Sequence, residues 1–192
     1  MQNDIKKIIS ASIGVKQKLL ADERLLKTAE QVVDLIVKAF QNGNRVYFAG
    51  NGGSAADAQH LAAEFSGRFY TDRLALPAEA LHCNTSYLTA VANDYSYDEI
   101  YARLIKGIAN KGDVLVGLST SGNSKNIVRA FEAAREKGVV SVGFTGESGG
   151  KMKTLSDYLF NVPSHDTPRI QEAHILLGHI VCELVERDFF NI

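Results

Sequence analysis

Leu25, Leu26, Ala29, Val32, Val33, Ile36, Val37 and Phe40 recur three and four residues apart, the spacing of one helical face, and Gly43 stops that helix. The stretch before it, "MQNDIKKIISASIGVKQKLL", puts lysines ahead of an apolar segment in the manner of a leader. Polar residues break the run and further lysines follow, so the pattern predicts an amphipathic helix. From residue 45 the pattern changes. "RVYFAG", "DVLVGLS", "VVSVGFTG" and "YLFNVP" are short, continuously apolar runs that predict buried strands, and "LPAEALHC" is a fifth candidate. Helical patterns separate them: one after "GNGGS", two over roughly 85–110, then "KNIVRAFEAAREKG" ending on Gly138, and the short "GKMKTLSD". A long helix from about Pro168 to Phe189 follows, with Pro168 suited to its first turn.

Strands that alternate with helices and are apolar on both faces imply a parallel sheet covered on both sides. The expected architecture is one doubly wound α/β domain over residues 1–192, with additional helices before and after the sheet. Ligands of such sheets bind beyond the carboxyl ends of the strands. "GNGGS" (50–54) and "STSGNS" (119–124) both fall at such ends.

Charge narrows the partners. The 21 basic and 22 acidic residues nearly cancel, so nothing points to nucleic acid or a membrane surface. Cys83 and Cys182 are too few for a disulfide framework and are expected to be reduced core thiols, in keeping with the cytoplasm.

"GNGGSA" formally matches a dinucleotide fingerprint through Gly50, Gly52 and Ala55. The acidic residue that should follow the next strand is missing, since Asp72 stands in the polar "YTDR". The second loop offers the hydroxyls of Ser119, Thr120, Ser121 and Ser124 at the start of a helix, whose amides and dipole favour an anion. It lacks the lysine of a nucleotide-triphosphate loop, and neutral donors suit the phosphate of a small molecule. On the helix after the first loop, His60 and Glu64 are one turn apart and converge on one point. Gln171 and His179 interrupt the apolar run of the last helix, "RIQEAHILLGHIVCELV". Imidazole and carboxylate groups of this kind suit a zinc-type ion.

"GNGGSAADAQHLAAEFSGR", "VANDYSYDEIYAR", "GDVLVGLSTSGNSKNIVRA" and "RIQEAHILLGH" together resemble the phosphoheptose isomerases of the sugar-isomerase (SIS) superfamily, in the same order and over nearly the whole chain. The resemblance implies a five-stranded, flavodoxin-like sheet and a homotetramer with sites at subunit interfaces. It implies conversion of sedoheptulose 7-phosphate to D-glycero-D-manno-heptose 7-phosphate, the first step towards the heptose of bacterial lipopolysaccharide or capsule. It places one zinc ion on His60, Glu64, Gln171 and His179. It places substrate contacts on Asn51, Gly52, Gly53, Glu64, Asn93, Asp94, Ser119, Thr120, Ser121, Ser124 and Gln171. One local departure is "SHDTPRIQ" (164–171), where the pattern has an acidic residue nearer the arginine.

The chemistry agrees with the residues. A ketose-to-aldose shift moves a proton between neighbouring carbons, so Glu64 is the expected base and His179 the expected proton carrier for the oxygens. Three other readings use parts of the same pattern: a regulator that binds a replication initiator, a sugar-phosphate sensor, and a dinucleotide oxidoreductase. The first lacks the metal constellation, the second needs only the serine loop, and the third rests on "GNGGSA" alone. Eight residues, about 12 Å of helix, separate Gln171 from His179. This length leads to the expectation that each site draws residues from more than one chain.

Overall fold

The computed structural model describes residues 1–192. Five strands form one parallel sheet: β1 (Val46–Ala49), β2 (Ala78–Ala80), β3 (Val114–Leu118), β4 (Val140–Thr145) and β5 (Tyr158–Asn161), in the order β2-β1-β3-β4-β5. The fifth candidate is a strand, but only its middle three residues pair, in register with Val46, Tyr47 and Phe48. Seven helices surround the sheet: α1 (Gln2–Leu20), α2 (Glu23–Gln41), α3 (Gly53–Ser66), α4 (Thr85–Asp94), α5 (Ile100–Ile108), α6 (Lys125–Lys137) and α7 (Thr167–Phe190). "GKMKTLSD" yields only a 3₁₀ stretch, Gly150–Thr154.

Alternate strand residues feed two apolar layers. Phe48, Val116 and Phe144 face α1, α2, α3 and α7, where Val32, Ile36, Leu61, Phe65, Leu177 and Val181 are buried. Tyr47, Ala49 and Leu115 face α4, α5 and α6, against Tyr101, Ile105, Ile127 and Phe131. Asp22 caps α2 by accepting from the amides of Arg24 and Leu25, and Gly138 ends α6 in the left-handed conformation at φ 71°.

Two expectations change. Cys182 is buried, but Cys83 is exposed, because the chain leaves the sheet after β2 and enters the cap of α4 at Asn84. The amphipathic α1 buries Val15 and Leu19 near its C-terminal end, yet leaves Ile5, Ile8, Ile9 and Ile13 about half exposed nearer its N-terminal end. No helix is long and apolar enough to cross a membrane.

The strand order reverses between β1 and β3, and a crevice opens at the carboxyl ends of strands at such a switch. Both candidate loops leave the sheet at that point.

Candidate active site

The first loop starts α3. Gly52 adopts φ 56°, a region that side chains other than glycine rarely enter, and serves as the N-cap of the helix. The backbone beyond it passes close to α7, so that a Cβ on Gly53 would stand 2.7 Å from the Gln171 amide nitrogen. Asn51 is held between two partners. Its side chain exchanges a pair of hydrogen bonds with Asn126, at 2.8 and 2.9 Å, and its oxygen also accepts from the Tyr97 hydroxyl at 3.1 Å. Asn126 is buried in the first turn of α6, so the Asn51–Asn126 pair ties the first loop to the second.

In the second loop, Gly122 turns at φ 66° so close to Gly149 that a Cβ would collide with its carbonyl. Ser119 is buried and its hydroxyl lies 2.9 Å from that of Ser124, the N-cap of α6. The Ser121 hydroxyl accepts from the Asn123 amide at 3.1 Å. Thr120 and Ser121 line a cleft of about 230 Å³ whose other wall is the turn after β4 together with Ser164, His165 and Thr167. Asn93 and Asp94 lie exposed on the last turn of α4, hydrogen-bonded to each other at 3.0 Å. The structure gives them no hydrogen bond to either loop.

His60, Glu64 and His179 come together. Their ligand atoms all lie within 4.8 Å of one another, within a single chain. His60 Nε2 is 2.9 Å from Glu64 Oε1, and the rings of His60 and His179 pack edge to face at 5.0 Å between centroids. His179 Nε2 is buried with no hydrogen-bond partner, in a region where unpaired polar atoms are costly. Two histidine nitrogens and a carboxylate oxygen converging around such an orphaned atom fit a zinc-type ion. Gln171 is placed by its contact with the start of α3. Its amide lies at Gly53, seven residues and about 10 Å of helix rise before His60.

Several residues around the cluster carry no sequence pattern that would single them out. Asp57 precedes His60 by one turn; burial raises its carboxyl above the usual range, and His60 and His179 partly oppose that. Arg73 and Glu186 form a buried ion pair at 3.0 Å. Arg73 also donates to the carbonyls of Glu64 and Phe65, each at 2.7 Å, which fixes the end of α3 that carries Glu64. Burial pushes the Glu186 carboxyl upward, but donors from Tyr70, Thr71, Arg73 and Phe69 outweigh it and hold the group ionised.

Comparison with known proteins gives the family. The SIS domain family matches residues 16–146. A phosphoheptose isomerase of Aneurinibacillus thermoaerophilus is 53% identical over 191 residues, covering all of this chain and 96% of the relative. One of Clostridium acetobutylicum is 50% identical over the same length, covering 97% of the relative. The solved phosphoheptose isomerase from Neisseria gonorrhoeae superposes with a TM-score of 0.90 at 40% identity, over 96% of this chain and 98% of that one.

Proposed function

The chain belongs to the SIS-domain phosphoheptose isomerases, and from that premise we propose the reaction and the role of each residue. It is an enzyme of heptose biosynthesis, a sugar-phosphate isomerase. The proposed reaction converts sedoheptulose 7-phosphate to D-glycero-D-manno-heptose 7-phosphate through an enediol, in the cytoplasm, for a bacterial lipopolysaccharide or capsule.

The observation that carries this reading is the convergence of His60, Glu64 and His179 around the unpaired His179 nitrogen. Glu64 takes the proton from one sugar carbon and returns it to the next, while His179 moves protons on the two oxygens. Asn51, Gly52, Gly53, Asn93, Asp94 and Gln171 hold the sugar. Ser119, Thr120, Ser121 and Ser124 take the phosphate at the start of α6, which anchors the far end and orients the near end against the base. His60, Glu64 and His179 would hold one zinc ion, with Gln171 as the proposed fourth ligand. When bound, the ion supplies positive charge at the carbonyl end of the sugar. The exposed isoleucine stripe on α1 supports self-association, which we propose is a homotetramer.

Incubation with sedoheptulose 7-phosphate tests the reading directly. Appearance of the aldose supports it; binding without turnover would favour a sensor, and neither would favour the initiator-binding regulator. The full-length identity to named isomerases speaks against both rivals.

A further inference from the structure

One ion pair beside the serine loop has no part in the reaction above. His165 Nε2 lies 2.8 Å from Glu147 Oε2, and both residues line the cleft whose facing wall is Thr120 and Ser121. The backbone that carries them is tied to both walls. The Gly146 amide donates to the Thr120 carbonyl at 2.9 Å, and the Glu147 amide donates to the Ser164 carbonyl at 3.2 Å. The side chains themselves are exposed, at 79% for His165 and 56% for Glu147, so little packing opposes a change of partner.

Charge decides what such a pair does when a phosphate arrives. The serine loop supplies hydroxyls and amides but no cation, and no lysine or arginine lines the cleft. A phosphate monoester there would face the Glu147 carboxylate at close range, an unfavourable pairing of like charges. His165 is the one side chain lining the cleft that can bring an imidazole N–H to an anion, and a phosphate oxygen accepts that hydrogen bond as well as a carboxylate does. Its place in the chain is the loop between β5 and α7.

We propose that His165 is a phosphate-binding residue of this enzyme, whose Nε2–H passes from Glu147 to the phosphate of the sugar. The inference rests on the reading of the serine loop as the phosphate site. Glu147 holds the donor when the cleft is empty and repels the anion when it is full, so the two residues act in opposite senses on phosphate affinity.

Inorganic phosphate binding, followed by phosphorus NMR at fixed pH and ionic strength, tests this alongside the KM for sedoheptulose 7-phosphate. His165→Gln is expected to weaken phosphate and raise KM by about three- to tenfold, as befits one charged hydrogen bond at a solvent-exposed site, with a smaller change in kcat. Glu147→Gln is expected to tighten phosphate by about two- to fivefold. Ser121→Ala serves as the reference. If Ser121→Ala weakens phosphate and His165→Gln does not, the assignment of His165 is wrong while the serine loop stands. Unchanged affinity in both variants would remove the loop reading and this inference together. Weaker phosphate binding in Glu147→Gln would mean that the pair only braces the wall, which also overturns the proposal.

Discussion

The serine loop and the His60–Glu64–His179 cluster are built in opposite ways. The loop proposed to take the phosphate has groups that already satisfy one another: Ser119 with Ser124, Ser121 with the Asn123 amide, and Asn126 with Asn51 across to the first loop. The proposed reacting end is a set of helix side chains with an unmet demand, since His179 Nε2 is buried without a partner beside His60 and Glu64. A loop that keeps its shape unaided is suited to recognise a constant group such as phosphate. A cluster with an orphaned nitrogen is completed by what it binds, which suits the role proposed for it.

The strongest way to break this division is to act on the reacting end alone. Glu64→Gln keeps the side-chain shape but cannot accept a carbon-bound proton, and loss of a general base typically costs about 10²–10⁴ in rate. The expected outcome is a kcat lower by that factor with phosphate affinity unchanged. Solvent exchange at the substrate's C1 at the unmodified rate would remove Glu64 from the role of base. Chelation to verified metal depletion is expected to act on the same end, lowering kcat until zinc is restored.

A second test uses two histidines of α7 that lie five residues apart. His174 is fully buried, with Nε2 donating to the Thr145 carbonyl at 3.2 Å and Nδ1 unpaired. Burial lowers its pKa to about 4, because a proton on Nδ1 would place charge on an atom without a partner. The folded pKa lies below the ordinary value of 6.5, so the unfolded chain binds more protons between these limits. Stability from this residue is therefore complete above pH 6.5 and is lost as the pH falls to about 4, in total about 3 kcal/mol. Denaturant midpoints across that window are expected to fall less steeply in His174→Gln. Identical slopes would show that His174 is not held neutral by the fold.

These histidines also mark how far the sequence is legible. His60 and Glu64 are readable because four residues of helix put them on one face, and His179 because it interrupts an apolar run. His174 lies in the same run and is a core residue; only the carbonyl it meets, 29 residues away in the chain, tells the two apart. The sheet was readable from its apolar runs, and the two loops from their glycines and serines. Contacts between distant segments were not. Glu186 meets Arg73 across 113 residues and Asn126 meets Asn51 across 75, so no local spacing announces either. Cys83 is exposed for a local reason, since the strand that precedes it ends at Ala80.

At the phosphate end a smaller effect is expected. Ser121→Ala removes one hydroxyl from a loop that other bonds keep in place, a loss of about 1 kcal/mol or roughly fivefold in KM. The metal content should not change. A fall in bound metal would show that the two ends are coupled and would weaken the contrast between them.

The smallest expected effect is none at all. The length of helix between Gln171 and His179 favours sites shared between chains, but Glu64 and His179 meet within one chain. Subunits carrying Glu64→Gln and subunits carrying His179→Asn, each inactive, are therefore expected to stay inactive when unfolded and reassembled together, because no hybrid site can hold both native residues. Gln171 is different: its amide lies at Gly53, about two helical turns before His60 on α3. If it serves a neighbouring subunit's cluster, hybrids of Glu64→Gln with an inactive Gln171→Ala chain regain activity in proportion to mixed sites, with activity per subunit as the measurement. Recovery in the first pairing would mean that the cluster forms between chains, and the reacting end would have to be rebuilt as an interface.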